Sequence, residues 1–117
     1  MKRSILLSML LTSIAIVLTC TVGADAAIET VIDVGRNPID IAITPDGNYA
    51  YVVNNYSSSV SAINVPDSTV ITIAVGAYPI DAEISPDGNF VYAVNSLSDT
   101  VSVISTSTNT VIKTIFV

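Results

Sequence analysis

The chain has 117 residues, half of them hydrophobic, and its 10 acidic and 4 basic side chains give a net charge of −6. An acidic chain without a basic patch repels phosphate backbones, so we exclude nucleic acid as a partner. The sequence has no His, and its one Cys, Cys20, lies in the N-terminal segment that we predict to be removed, so the usual general bases, thiol nucleophiles and transition-metal ligands are missing from the predicted mature protein. We therefore predict no cofactor and a function that is not enzymatic.

The first 26 residues have the pattern of an export signal. A short basic start precedes an apolar segment over residues 5–18, and Ala-Asp-Ala at 24–26 has the spacing of a signal-peptidase site. We predict a signal peptide over 1–26 and a mature protein over 27–117 that is secreted or at the cell surface, or periplasmic in a Gram-negative host. A retained membrane anchor and a lipid anchor on Cys20 are the alternatives.

The remaining chain consists of two copies of one 41-residue unit. Residues 35–75 align with residues 76–116, and 19 of the 41 aligned pairs are identical. A repeat of about 40 residues rich in strand formers is typical of a β-propeller blade. We predict an all-β fold with two four-stranded antiparallel blades, preceded by one orphan strand over 28–34. A two-sheet sandwich is the alternative fold.

Each unit is predicted to contain four strands. In the first unit the innermost strand begins at Pro38, and Ile39, Ile41 and Ile43 alternate with Asp, Ala and Thr, which predicts that the three isoleucines share a face. The Thr-Pro-Asp-Gly sequence at 44–47 predicts a tight turn. The other strands are predicted over 48–54, 60–65 and 70–75. Because the second and fourth strands barely alternate, we expect neighbouring blades to cover both of their faces.

These units resemble the YVTN β-propeller repeats of archaeal and bacterial surface antigens and S-layer-like proteins. The name-giving tetrapeptide is present as Tyr51-Val52-Val53-Asn54 and Tyr92-Ala93-Val94-Asn95, each after a Pro-Asp-Gly-Asn turn. The resemblance implies a propeller that serves binding, adhesion or envelope structure, with a protein or a cell-envelope component as partner. The alternative is a fragment of a propeller enzyme or cofactor-binding propeller of the lactonase or haem-d1 kind.

The residues that recur in both units are predicted to be structural. They are Gly35, Pro38, Gly47, Tyr51 and Asn54 in the first unit, and Gly76, Pro79, Gly88, Tyr92 and Asn95 in the second. Glycine permits tight turns, and proline is tolerated at the start of a strand. We expect the tyrosine rings to be buried between blades with their hydroxyls on polar partners, and the asparagine amides to bond to backbone.

Two groups of residues are candidate sites. Asp40, Asp81 and Glu83 lie on the predicted innermost strands, where crowded carboxylates can hold Ca²⁺, although a solvated rim without metal is the favoured interpretation. Asn55 begins an Asn-Tyr-Ser sequon on a predicted loop and is a candidate for glycosylation.

The predicted strands are too few to close a ring, because closed propellers have at least about four blades. Two explanations follow. Either the chain is part of a longer propeller, which we favour, or identical chains complete the ring by self-association through exposed blade edges.

Overall fold

The computed structural model describes residues 3–12, 15–22 and 27–117, with side chains from residue 30 onward. Strands in this part of the chain form three antiparallel sheets. The N-terminal sheet consists of β1 (Arg3–Thr12), β2 (Ala15–Val22) and β3 (Ala27–Asp33). The first blade consists of β4 (Pro38–Ile43), β5 (Tyr49–Asn54), β6 (Ser59–Asn64) and β7 (Val70–Ala74). The second blade consists of β8 (Pro79–Ile84), β9 (Phe90–Asn95), β10 (Thr100–Ser105) and β11 (Thr110–Phe116).

The predicted all-β fold with two four-stranded antiparallel blades is confirmed, and β3 precedes them at the predicted place. In the structure β3 pairs with β2, with Ile32 opposite Ile16. This register differs from that of the blades. In the first blade Ile73 lies opposite Val60, so a third copy of the unit, 41 residues earlier, would have Ile32 opposite Thr19. The N-terminal sheet is therefore not a third copy of the blade.

The signal peptide predicted over 1–26 falls on a segment whose side chains lie outside the described residues, as do residues 1–2, 13–14 and 23–26 altogether. In the part of the chain that is described, no helix has the length and apolar character needed to cross a membrane.

The first blade is covered on both faces. Toward the second blade, a buried cluster contains Tyr51, Val53, Val60, Ala62 and Ile73 of the first blade and Ala82, Val91, Ala93 and Ile104 of the second. Toward the N-terminal sheet, a second cluster contains Ala50, Val52, Ile63 and Ile32. Successive residues of β5 therefore face opposite apolar neighbours, which explains why this strand does not alternate between polar and apolar residues.

For the fourth strand of the first blade the expectation of two covered faces is wrong. Ile73 is buried in β7, whereas Val70 and Ile71 are exposed. β7 is the outermost strand of its blade. Blades that radiate from a common axis diverge toward their outer edges, so an outer strand receives less cover than the strands nearer the axis.

A β-bulge interrupts the start of each innermost strand. Pro38 lies opposite Asn54 and Asp40 opposite Val53, so two residues of β4 face one position of β5 around Ile39. The same shift occurs in β8. An extra residue reverses the side-chain alternation beyond it. As a result Ile39 packs toward the second blade and Ile41 toward the N-terminal sheet, and the prediction that they share a face is wrong.

The Thr-Pro-Asp-Gly turn of the first blade is closed by local hydrogen bonds. The Gly47 amide donates to the Thr44 carbonyl at 2.8 Å, and Gly47 has a φ of 74°, which favours glycine. Asp46 accepts hydrogen bonds from the Thr44 hydroxyl and from the Asn48 amide. These bonds hold the pKa of Asp46 below its usual value. The second blade repeats the arrangement around Asp87.

Candidate functional site

The connections that lead into the innermost strands lie at one common end of the blades. Pro38 is opposite Asn54, and Ser59 is opposite both Asn54 and Ala74. The second blade has the corresponding pairings, beginning with Pro79. We call this the proline end; the Pro-Asp-Gly turns are at the other. Loops at one end of a rigid β-scaffold commonly contain binding and catalytic residues.

The carboxyl groups of Asp40 and Asp81 meet near the proline end. Asp40 Oδ2 accepts a hydrogen bond of 2.9 Å from the Ala82 amide, which links the two innermost strands. Partial desolvation, the hydrogen bond with Asp40 and the charges of Asp40 and Glu83 raise the pKa of the exposed Asp81 above its usual value. The two carboxyls are thus adjacent, with the Ala82 amide bonded to Asp40 and the proton affinity of Asp81 increased.

Among the described side chains, no group of three or more His, Cys, Asp or Glu residues is arranged to hold a metal ion. The calcium site at Asp40, Asp81 and Glu83 stays a prediction. One Asp40 oxygen already accepts the Ala82 amide, so a cation bound there would share that oxygen.

The two recurrent tyrosines have different surroundings. Tyr51 is fully buried, and its hydroxyl donates to Asn109 Oδ1 of the second blade at 2.5 Å. Burial, together with the neighbouring Tyr49 and Asp46, raises the pKa of Tyr51 to about 12. Tyr92 occupies the same position in the second blade and is 39% exposed. Tyr51 lies on the face of the first blade that packs on the second blade. The equivalent face of the second blade, where Tyr92 lies, is turned away from the first blade.

The recurrent asparagines bond to side chains rather than to backbone. Asn54 Nδ2 donates to the hydroxyls of Ser59 and Ser61 at 3.2 and 2.9 Å. Asn95 makes the equivalent pair of bonds in the second blade. The Oδ1 atom of each amide is buried and has no partner among the described atoms. These residues tie two neighbouring strands together within a blade, where we had expected a bond to backbone.

Gly35 and Gly76 are required by close packing. A Cβ atom on Gly35 would lie 2.6 Å from Asn54 Cγ, and one on Gly76 would lie 2.8 Å from Asn95 Cγ. Contacts below 3.0 Å are essentially never seen for Cβ atoms. The recurrent glycine and asparagine are therefore one packing unit, with the glycine leaving room for the amide below it.

Asn55, the candidate glycosylation residue, lies at the junction of the two blades. Its side chain is 8% exposed, and Nδ2 donates to the Pro79 carbonyl at 2.9 Å. A glycan attached to Nδ2 would have to replace this bond. Glycosylation of Asn55 stays a prediction.

The proline end also presents two exposed tyrosines that the sequence reasoning did not identify as a site. Tyr56 and Tyr78 have ring centroids 6.0 Å apart and an interplanar angle of 62°, an edge-to-face arrangement. Their counterparts in the repeat are Leu97 and Asn37. The sequence signal for this pair is that both tyrosines differ from their counterparts in the other unit. A comparison restricted to identical positions misses such residues.

A cleft of about 360 Å³ opens between the outer strands of the two blades. It is lined by Ala74, Val75, Gly76, Ser98, Thr100, Ser102, Val111 and Thr114. These residues supply hydroxyl groups and apolar surface but no acid or base. The cleft therefore offers hydrogen bonds without a group that can move a proton at neutral pH, and the carboxyl pair near the proline end is the better candidate for chemistry.

Two consecutive four-stranded blades that pack face to face, with their innermost strands in contact, define a β-propeller. The sequence matches the family described as lactonase, 7-bladed beta-propeller over residues 12–112, and the chain belongs to this family. The match begins within the segment predicted as a signal peptide. A comparison with curated proteins gives no match.

Several solved structures share the fold. Hydrazine synthase from Kuenenia stuttgartiensis has 28% identity and a TM-score of 0.75, with 88% of this chain and 32% of that chain covered. A candidate 6-phosphogluconolactonase from Bacteroides fragilis has 17% identity and a TM-score of 0.68, with 90% and 34% covered. The periplasmic gluconolactonase from Pseudomonas aeruginosa has 18% identity and a TM-score of 0.65, with 90% and 34% covered. The chain thus spans about a third of each of these proteins.

These findings test two of the expectations from the sequence. The propeller implied by the resemblance to YVTN repeats is confirmed. The expectation of a non-enzymatic binding, adhesion or envelope module is wrong, because the chain matches a family described as lactonases, and this match favours the alternative of a fragment of a propeller enzyme. The lack of His in the chain and of Cys in the predicted mature protein over 27–117 led to that expectation, but a carboxylate can also serve as a general base.

Proposed function

We propose that the chain is part of a propeller enzyme that hydrolyses a sugar lactone. The observation on which this rests is the lactonase family match over residues 12–112. The gluconolactonase names of two structural neighbours support the substrate class. Within the described residues, the chemical group that suits the reaction is Asp81, next to Asp40 near the proline end.

In the proposed reaction Asp81 is the general base. Its ionised carboxylate takes a proton from a water molecule as the water oxygen attacks the lactone carbonyl carbon. The tetrahedral intermediate then collapses, the ring C–O bond breaks, and the departing alkoxide takes the proton from Asp81, which leaves the open hydroxy acid. A raised pKa makes Asp81 a stronger base than an ordinary aspartate. The innermost strand places it on the wall of the channel in a closed ring.

Hydrolysis of D-glucono-δ-lactone tests this proposal, followed as base uptake at constant pH and corrected for the spontaneous reaction. A general base contributes about 10²–10⁴-fold, so Asp81→Asn should lose at least about 100-fold in rate. Asp87→Asn, at the opposite end of the second blade, is the matched control and should keep the parent rate. The parent rate should rise with pH through the raised pKa of Asp81. A parent rate equal to the spontaneous rate, or full activity in Asp81→Asn, would contradict the proposal.

We also propose that the chain is exported and that a further blade covers the outward face of the second blade. The N-terminal pattern and the periplasmic location named for the Pseudomonas relative support export. The exposed apolar side chains Ile80, Tyr92 and Ile112 support an additional blade, whether from the rest of a longer propeller or from a second copy. Intact mass would reveal a protein that begins at Ala27, and light scattering would reveal self-association. An uncleaved monomer would contradict export and pairing with a second copy.

A further inference from the structure

Each of the two exposed tyrosines at the proline end differs from the residue at the equivalent position of the other unit. Position 78 corresponds to Asn37, and position 56 corresponds to Leu97. Positions that are identical in both units have roles in packing, as the buried Asn54 and Asn95 show. At these two positions, by contrast, the first blade has Asn37 and the second has Leu97, so a blade folds without an aromatic residue at either of them. Folding alone therefore does not explain Tyr56 and Tyr78.

Tyr78 occupies an unfavourable backbone conformation. Its φ is 51°, in the left-handed region, where asparagine is tolerated and a bulky residue is a rare outlier. Asn37 has a φ of 53° at the corresponding position. Hydrogen bonds from a neighbouring loop hold the backbone in this conformation, because the Ser96 amide and hydroxyl both donate to the Tyr78 carbonyl, at 3.0 and 2.9 Å. Residues retained in strained conformations cluster at functional sites.

Tyr56 is held beside it by the neighbouring loop. Its amide donates to the Arg36 carbonyl at 3.2 Å, and the adjacent Asn55 is anchored to the second blade through Pro79. The two rings contact each other edge to face, yet 60% of Tyr56 and 46% of Tyr78 remain exposed. The pair is therefore an exposed amphipathic surface that spans the junction of the two blades.

The tyrosine pair lies at the same end as the candidate general base. Tyr78 precedes Asp81 by three residues, and at roughly 3.3 Å per residue this separation along the strand is about 10 Å. A sugar ring presents C–H groups that pack on aromatic faces and hydroxyls that bond to polar rims such as tyrosine hydroxyls. We propose that Tyr56 and Tyr78 bind the sugar ring of the lactone, an inference that rests on the proposed function and names its substrate-binding residues.

The repeat supplies the test variants. Tyr78→Asn and Tyr56→Leu install the residue that the other unit already uses, so both chains should fold, and Tyr78→Asn should melt at or above the parent temperature. Tyr92→Phe is the control, because Tyr92 is an exposed tyrosine outside the pair. The probe is D-glucono-δ-lactam, a ring-shaped analogue that resists hydrolysis. Saturation-transfer NMR on the full chain, with irradiation of the aromatic protons, reports which protons of the lactam approach aromatic rings.

We expect saturation transfer to the ring C–H protons of the lactam in the parent and in Tyr92→Phe. Each pair variant should weaken binding at least about 10-fold. Unchanged binding in both folded variants, or no binding to the parent, would overturn the inference.

The hydrolysis assay distinguishes this failure from failure of the proposed function. Lactone hydrolysis with unchanged KM in Tyr78→Asn would leave the enzyme proposal intact and refute the tyrosine pair as its binding site. Aromatic-dependent lactam binding without hydrolysis by the parent would uphold the binding site and refute the catalytic proposal.

Discussion

Replacing Tyr51 by Phe removes one oxygen atom from the interface between the two blades. The ring stays in the buried cluster, so the apolar contacts with the second blade are kept. What is lost is the hydrogen bond from the hydroxyl to Asn109 Oδ1, which joins the second strand of one blade to the last turn of the next. Asn109 is itself buried, and its Oδ1 loses this donor.

The expected cost follows from that unpaired acceptor. Removing one partner of a buried hydrogen bond costs about 1–3 kcal/mol, because the remaining group keeps its desolvation penalty. Tyr92→Phe makes the same chemical change at the equivalent position of the second blade, where the side chain is exposed and no bond from its hydroxyl is formed within the described residues. Substitutions at such sites usually stay within about 0.5 kcal/mol.

Urea unfolding of the parent and of both variants measures the difference, with the slope of the transition as a check that the unfolded state is unchanged. The reasoning predicts a lower midpoint for Tyr51→Phe and a parent-like midpoint for Tyr92→Phe. Equal shifts in the two variants would refute the claim that the inter-blade hydrogen bond stabilises the protein.

Four further outcomes are expected. The pKa of Tyr51 is raised from 10.0 to about 12, so the free energy of unfolding should fall as pH rises through this interval, a fall absent in Tyr51→Phe. The pKa of Asp81 is also raised, so the contribution of its protonated form to stability is lost as pH rises through that pKa. The free energy of unfolding of Asp81→Asn, measured by urea titration at pH 3 and at pH 7, should therefore increase relative to that of the parent from the lower pH to the higher. Gly35→Ala should cost about 1–3 kcal/mol through overpacking against Asn54, and the double variant with Asn54→Ala should cost less than the sum of the single changes. Tyr78→Asn should raise the unfolding free energy by about 1 kcal/mol, and a loss of stability would show that its φ is not strained.

The strands of the two blades, the turns and the blade repeat were predictable because they depend on short-range chemistry, whereas β1 and β2 were not expected. A glycine that follows Pro-Asp takes a positive φ in its own turn, and Gly47 does so without help from distant residues. A 41-residue self-similarity likewise indicates stacked blades whatever the rest of the molecule contains. The choice between a non-enzymatic module and a fragment of a propeller enzyme was not predictable in this way, because a carboxylate base needs neither His nor Cys.

Tertiary structure determined which copy of a repeated residue is buried. Tyr51 and Tyr92 have the same place in the unit, yet one lies under a neighbouring blade and the other faces outward. Packing also decides the bulge at Ile39 and the partial cover of β7. The residue pattern of a strand specifies the alternation of its side chains, but not where the register of the strand pairing shifts or where two blades diverge. The sequence by itself therefore determined the blades, whereas contact between blades determined which side chains are buried, bonded or free to meet a ligand, because burial depends on what lies opposite.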